Sequence, residues 1–163
     1  MRIGPDPRFR FVRRSVTRPA SAGGEDHEPM DRGAFLRRRD AGGFALWWDA
    51  HGLLYGVPRD IEADLDAGRC VVANLSRGAL AEAASRYPLL VLEITAPPAV
   101  LAARLAARGR EDAATIAARL AREAPLPPSL RVRRVVNDSA PEAGAAEVAA
   151  VLLEAAADGK RPD

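Results

Sequence analysis

Residues that could bind phosphate are concentrated in one loop near the start of the chain. Between Arg13 and His27 the sequence collects arginines, hydroxyl side chains, glycines and a glutamate, without the apolar periodicity of a helix or strand. Guanidinium groups bind phosphate oxygens bidentately, and free backbone amides of glycines complete the shell. The alternative is a solvated polar loop with biased arginine usage. The residues alone leave both interpretations open.

A second group of arginines lies in the last half of the chain. Arg104 and Arg108 are one helical turn apart, Arg110 follows Gly109, and Arg119 lies further along the same helical pattern. A glycine-hinged helical segment that carries several arginines could close as a lid over a polyphosphate. The alternative is a solvent-exposed helix face whose arginines pair with local acidic residues.

Polar residues also lie at the carboxyl ends of two predicted strands. Asn74 and Arg77 come at the end of the apolar run Val71–Leu75, and Asn137 follows the run Val132–Val136. Open α/β sheets bind ligands at this edge. Turn residues are the alternative interpretation.

The elements that would position these residues alternate between strands and helices. The nearly unbroken apolar runs Val71–Leu75 and Leu89–Thr95 predict parallel strands covered on both faces, with helices between and after them. Earlier in the chain, Phe44–Trp48 and Leu53–Val57 predict two strands joined around His51 and Gly52. The same pattern predicts a helix capped by Asp31 and another that Pro58 begins. The alternation indicates an α/β fold with an irregular insert in its first third.

Composition excludes several classes of protein. The 163 residues, 48% of them hydrophobic, suffice for one domain with a core, and a net charge of +2 is too small for a general nucleic-acid or membrane binder. The single cysteine, Cys70, forms no intramolecular disulfide, and no Cys/His cluster has metal-site spacing, so a cytoplasmic protein without a metal site of its own is expected. No apolar run reaches the roughly 20 residues of a membrane span. Lys160 is the only lysine.

Five runs of the sequence occur together in one known family. They are RSVTRPASAGGEDH (Arg14–His27), LWWDAHGLLYGV (Leu46–Val57), VVANLSRG (Val71–Gly78), RLAARGREDAATIAARL (Arg104–Leu120) and VVND (Val135–Asp138). In this order they resemble the guanylate-kinase-like P-loop kinases, and most closely the branch that acts on ribose 1,5-bisphosphate. The resemblance implies one domain over residues 1–163, a three-layer α/β fold with a parallel core sheet. An acceptor-binding insert would span about residues 17–68 and a helical lid about residues 105–128.

The resemblance also assigns roles to residues. It implies that the acceptor is held by side chains of the first half of the chain: Ser15, Arg18, Glu25, His27 and Tyr55, with Asn74 and Arg77 at the sheet edge. Arg108 and Arg119 match lid arginines that touch the donor phosphates, with Arg110 beside them, and Asn137 matches an asparagine near the adenine. The implied cofactors are ATP and Mg²⁺, and the implied partners are small molecules.

Departures from guanylate kinase point to a different acceptor. Ser21 stands where the second arginine of the family's TTRxPR motif is expected, Leu46 stands at the position of the guanine-reading acid, and Val57 replaces the hydroxyl that contacts the base. Without those polar partners a guanine site loses its discrimination. A sugar phosphate is therefore the expected acceptor.

One part of the family pattern does not occur in these residues. The family opens with a strand and a Walker loop, GxxxxGK[ST], whose lysine reaches the donor phosphates. We expect about 25 to 30 residues, the length of a strand, loop and helix, to be missing relative to the family, with a miscalled start codon as the first explanation. The expected activity is ATP-dependent phosphorylation of ribose 1,5-bisphosphate. A catalytically inactive binding remnant and a nucleoside monophosphate kinase are the alternatives.

Overall fold

The computed structural model describes residues 6–20, 25–107 and 126–158. Its residues group into two compact units, one within Pro5–Pro88 and one within Leu89–Glu154. In the first unit the elements are β1 (Phe9–Phe11), β2 (Ser15–Val16), β3 (Glu28–Pro29), α1 (Arg32–Asp40), β4 (Phe44–Ala50), β5 (Leu53–Pro58), α2 (Ile61–Asp66), β6 (Cys70–Val72), a 3-10 turn (Arg77–Ala79) and α3 (Leu80–Arg86). The second unit contains β7 (Leu90–Thr95), α4 (Pro98–Ala107), β8 (Arg131–Val136) and most of α5 (Pro141–Asp158).

Two sheets form the first unit. One has four strands in the order β3-β2-β5-β4, and the other is the parallel pair β1-β6. The β4–β5 hairpin turns on two residues with positive φ, His51 at 54° and Gly52 at 75°, which is the type I′ turn favoured between antiparallel strands. The predicted pair of strands around these two residues is therefore confirmed.

A small aromatic core fixes α1 against the hairpin. Phe35 and Phe44 stack with ring centroids 4.5 Å apart, and Leu54 packs with them. Asp31 caps α1, as predicted, by accepting a 2.8 Å hydrogen bond from the Ala34 amide. A Cβ atom at Gly56 would lie 2.5 Å from the Phe44 ring, so only glycine lets the ring lie flat on β5.

Two predicted boundaries in this unit are wrong. The helix expected to begin at Pro58 begins at Ile61, because Pro58 is the last residue of β5 and pairs with Phe44. The strand expected over Val71–Leu75 ends at Val72. Its partner β1 ends at Phe11, directly opposite Val72, so the hydrogen-bonded ladder has no further partner strand.

The second unit is built on one parallel strand pair. β7 and β8 pair in register from Leu90–Arg131 to Thr95–Val136. Ile94 of β7 is 56% exposed, so the described residues do not cover this strand on both faces as expected for the run Leu89–Thr95. Within the described part of the chain each of these strands has only the other as a neighbour, which leaves few side chains to pack against them. None of the helices described has both the length and the apolar character needed to cross a bilayer.

Candidate functional site

Arg14 lies at the centre of a cluster in the first unit. It directly precedes β2, whose Val16 is in register with Tyr55 of β5, and Tyr55 is in turn opposite Trp48 of β4. The two rings stack at 5.5 Å with an interplanar angle of 6°. The Arg14 guanidinium lies 5.4 Å from the Trp48 ring centroid and 5.1 Å from that of Tyr55. Cation–π contact with two rings stabilises the guanidinium in a position where its side chain is only 12% exposed.

Glu25 completes this cluster from the polar loop. Its Oε1 atom accepts from Arg14 Nη2, and its Oε2 atom accepts a 2.9 Å hydrogen bond from Asn74 Nδ2. Arg14 Nη1 also donates to the Asn74 carbonyl oxygen at 2.9 Å. Asn74 follows β6, so these bonds tie the loop, β2 and the end of β6 together. We call Arg14, Glu25, Trp48, Tyr55 and Asn74 the acceptor cluster, after the phosphoryl acceptor that the sequence resemblance predicts for this part of the chain.

The charges around Glu25 keep its carboxylate ionised. Partial burial opposes ionisation, but the hydrogen bonds from Asn74 and Arg14 and the charges of Arg14 and Arg18 outweigh it, so the pKa of Glu25 lies below its ordinary value. An ionised carboxylate only accepts hydrogen bonds. The cluster thus presents an acceptor group next to cationic guanidinium groups.

Arg18 and His27 hold the two ends of the polar loop. The His27 side chain is buried, and its ring nitrogens lie 3.0 Å from the Glu25 carbonyl oxygen and 3.1 Å from the Arg18 carbonyl oxygen. Arg18 Nη2 lies 3.4 Å from His27 Nδ1, and the buried Arg18 Nε has no hydrogen-bond partner among the described residues. His27 therefore shapes the loop, and Arg18 Nε is a donor that no described residue satisfies.

Ser15 points away from the acceptor cluster. The residue is fully buried, its hydroxyl donates to Glu28 Oε2 at 2.6 Å, and the hydroxyl oxygen accepts from Arg38 Nη1 at 3.2 Å. Successive residues of a strand face opposite sides, so Arg14 and Ser15 enter different environments. Because its one donor bonds to Glu28, Ser15 acts on the loop through β3 rather than through a free hydroxyl.

The structure describes only some of the remaining predicted site residues. Arg77 begins the 3-10 turn after β6, on the same segment as Asn74. The lid arginines Arg108, Arg110 and Arg119 lie outside the described residues, as does Ser21. Their contacts with a ligand stay predictions.

A second polar arrangement in the second unit surrounds Asn137. The backbone amide of Asn137 donates to the Thr95 carbonyl oxygen at 2.7 Å, at the point where β7 and β8 both end. Arg104 of α4 donates to the carbonyl oxygens of Asn137 at 2.7 Å and of Ser139 at 3.3 Å. The sequence suggested that Arg104 could join a lid face, whereas here its guanidinium orders the loop after β8.

The side chain of Asn137 carries a buried hydrogen-bond acceptor close to Gly144 of α5. Its Oδ1 atom is buried and has no hydrogen-bond partner in the described part of the chain. A Cβ atom at Gly144 would lie 2.9 Å from that oxygen, so the glycine of α5 makes room for the amide. A buried acceptor without a partner is costly, and an exocyclic amine could satisfy it.

Divalent metal ions are held in proteins by sets of His, Cys, Asp or Glu ligands. No group of three His, Cys, Asp or Glu side chains among the described residues is placed to hold one.

Sequence reasoning missed the central position of Arg14 and Trp48. Arg14 belongs to the predicted phosphate-binding loop, but nothing in the loop's composition separates it from Arg13. The separating signal is strand alternation combined with the register of β2, β5 and β4, which brings Arg14 onto the side of Tyr55 and Trp48.

Comparison with known proteins identifies relatives of this chain. It is 50% identical over 152 residues to the ribose 1,5-bisphosphate phosphokinase PhnN of Acidiphilium cryptum (strain JF-5), covering 93% of this chain and 80% of that protein. It is 47% identical over 150 residues to PhnN of Ruegeria sp. (strain TM1040), covering 90% and 79%. It is also 50% identical over 153 residues to the bifunctional ribose 1,5-bisphosphokinase-thymidine phosphorylase of Azorhizobium caulinodans, of which it spans only 22%. No protein-family model matches the chain.

A solved structure supports the predicted fold. The guanylate kinase of Anaplasma phagocytophilum superposes with a TM-score of 0.69 at 21% identity, over 94% of this chain and 78% of that one. This likeness confirms the expected guanylate-kinase-like α/β fold. The two PhnN proteins share nearly half of their residues with this chain over most of both lengths. The chain therefore belongs to the ribose 1,5-bisphosphate phosphokinase family.

Proposed function

We propose that this chain transfers the γ-phosphoryl group of ATP to the 1-phosphate of ribose 1,5-bisphosphate, giving 5-phosphoribosyl 1-diphosphate and ADP. The names of its relatives supply the acceptor, and one observation in the structure favours a sugar over a base. Leu46 and Val57, at the positions where guanylate kinases read guanine, are paired across β4 and β5 and are 4% and 1% exposed. Buried apolar side chains offer no hydrogen bond to a guanine edge.

The phosphoryl transfer does not require a strong general base. An oxygen of the acceptor's 1-phosphate attacks the γ-phosphorus, the bond from that phosphorus to the β-phosphate oxygen breaks, and ADP leaves. The second pKa of a phosphate monoester is about 6, so the attacking oxygen is largely ionised near neutral pH. The difficulty is the approach of two polyanions, which cationic side chains relieve by neutralising charge in the transition state.

The proposed roles follow the two units. In the first unit, Arg18 contacts an acceptor phosphate, and Tyr55 and Glu25 contact the sugar. Asn74 supports Glu25 at the sheet edge, where Arg77 also lies, and Ser15 and His27 hold the loop. In the second, Asn137 contacts the adenine of ATP. The lid residues Arg108, Arg110 and Arg119 close over the donor phosphates by family resemblance. When bound, Mg²⁺ would neutralise the phosphate charges of ATP. A chain that uses ATP in this way belongs in the cytoplasm, where ATP is abundant.

A catalytically inactive binding module is the second candidate. Every member of the acceptor cluster lies within Pro5–Pro88, so this unit by itself carries the side chains proposed to hold the acceptor. Such a module would keep the acceptor cluster and bind the sugar bisphosphate without turnover.

One experiment separates these candidates. The full chain is mixed with ATP, Mg²⁺ and either ribose 1,5-bisphosphate or GMP, the products are followed by phosphorus NMR, and acceptor binding is measured in parallel by titration calorimetry. The proposal expects a diphosphate signal and ADP with the sugar only. Binding of the sugar bisphosphate without ADP supports the binding module, and turnover with GMP or failure to bind the sugar overturns both.

A further inference from the structure

The acceptor cluster contains a carboxylate at the place where the proposed function puts a sugar bisphosphate. Glu25 is 26% exposed, so one part of its carboxylate faces solvent while Arg14 and Asn74 hold the rest. A carboxylate offers about four acceptor positions. The two named bonds leave acceptor positions for a ligand.

The chemistry of those positions selects the ligand group. An ionised carboxylate repels phosphate oxygens and accepts only from donors. At neutral pH the only strong donors on a ribose bisphosphate are the ring hydroxyls at carbons 2 and 3. Glu25 therefore suits the sugar ring and not either phosphate.

Arg14 determines where that carboxylate points. Its guanidinium bonds to Glu25 and to the Asn74 carbonyl oxygen, and it lies 5.4 Å and 5.1 Å from the ring centroids of Trp48 and Tyr55. A planar fork held on four sides leaves few orientations for the carboxylate, and a flexible ammonium group would not impose the same geometry. Arg14 thus acts through Glu25 as a positioning residue.

We propose that Glu25, oriented by Arg14 and Asn74, reads the ring hydroxyls of the acceptor and makes the site specific for a ribose rather than a deoxyribose bisphosphate. This inference rests on the proposed function, since it assumes that the acceptor is a sugar bisphosphate. The inference goes beyond the proposed function because it assigns the discrimination between ribose and deoxyribose to the Glu25 carboxylate and to the two residues that support it, Arg14 and Asn74. Loss of a hydrogen bond to a charged group corresponds to an affinity loss of about 10- to 100-fold.

The test is a cycle of ligands and variants measured by titration calorimetry on the full chain. The ligands are ribose 1,5-bisphosphate and its 2-deoxy and 3-deoxy analogues. Wild type should bind the ribose compound at least about 10-fold more tightly than one of the deoxy compounds. Glu25→Gln should weaken binding of the ribose compound but leave the affinity for that deoxy compound equal or slightly higher, because it also removes a negative charge near the phosphates.

The supports are tested in the same cycle. Arg14→Met should abolish the preference, Arg14→Lys should keep part of it, and Asn74→Ala should reduce it. Because Asn74 is exposed, its variant tests the arrangement even if the Arg14 variants unfold. Two matched controls should leave the preference unchanged: Asp26→Asn, a neighbouring carboxylate that is 83% exposed, and Arg39→Met, an arginine that lies 5.0 Å over the Trp47 ring outside the cluster.

The outcomes distinguish this inference from the proposed function. If wild type binds no sugar bisphosphate, the proposed acceptor is wrong. If it binds the ribose and deoxyribose compounds equally, the acceptor class stands and the role of Glu25 is overturned. An equal loss of affinity for all three ligands in Glu25→Gln would show a merely structural carboxylate and also overturn it.

Discussion

Replacing Ser15 by alanine tests whether this residue acts through the fold or through the ligand. The change removes the 2.6 Å hydrogen bond to Glu28 and the 3.2 Å bond from Arg38, while the 2.9 Å bond between Arg38 and Glu28 remains. A hydrogen bond to a charged group contributes about 1.5–3 kcal/mol. Because the Glu28 side chain is 42% exposed, water can replace part of that bond, and we expect the lower end of this range.

The expected loss of unfolding free energy is therefore about 1.5–2 kcal/mol, which corresponds to a decrease in Tm of about 3–8 °C for a chain of this size. Urea denaturation followed by circular dichroism measures the free energy, and titration with ribose 1,5-bisphosphate measures the affinity, which should fall by less than about 3-fold. Ser85→Ala is the matched control, since the Ser85 hydroxyl donates to the Glu82 carbonyl oxygen at 2.8 Å on an exposed surface. It should change the stability by less than about 0.5 kcal/mol.

Two results would refute this reasoning. If Ser15→Ala is as stable as Ser85→Ala, the bond to Glu28 contributes nothing to the fold. If the affinity falls by about 10-fold or more while the stability is unchanged, the hydroxyl contacts the ligand directly and its bond to Glu28 must break on binding.

Two further predictions concern the loop after β8 and the dependence of the unfolding free energy on pH at acidic pH. Arg104→Met removes two donors to backbone carbonyl oxygens, so we expect the affinity for a non-hydrolysable ATP analogue to fall about 5-fold, with the affinity for the acceptor unchanged in the same calorimetric titrations. Arg133→Met, which breaks an exposed pair with Glu154, is the control, and an equal effect of both variants would contradict the role of Arg104. For Glu28, the hydrogen bond from Ser15, opposed by partial burial and aided by Arg38 and Arg13, holds the pKa below its ordinary value. The stability that ionised Glu28 contributes is then fully present above the ordinary glutamate pKa, and it is lost as the pH falls through the lowered pKa. Glu28→Gln should therefore reduce the slope of unfolding free energy against pH on the acid side. An unchanged slope would show that Glu28 is not responsible for it.

The resemblance in the sequence was sufficient for the family, which the comparison with the two PhnN proteins confirms. The run from Arg14 to His27 predicted a polar loop with phosphate chemistry, and the structure brings Arg18, Glu25 and His27 of that loop together. His51 and Gly52 predicted the hairpin turn, because few residue pairs tolerate two successive positive φ angles. These signals are local, so neighbouring residues suffice to determine them.

Helix and strand ends were less predictable because they depend on partners distant in sequence. The strand after Cys70 ends where β1 ends, although its apolar run continues to Leu75. Pro58 begins many helices, but here it pairs with Phe44 in a sheet. In both cases a partner strand outweighs the local preference.

The order of the residues was enough to predict the fold family, the apolar Leu46 at the position of a guanine-reading acid, and the number of arginines available for phosphate. The environment of each arginine and hydroxyl side chain depends on tertiary contacts. Arg14 and Ser15 are adjacent, and each could have been a binding residue. The register of β2 with β3 and β5 directs Arg14 onto the rings of Trp48 and Tyr55 and Ser15 onto Glu28. Because side chains alternate along a strand, this difference arises from pairing between strands far apart in sequence, which neither residue encodes alone.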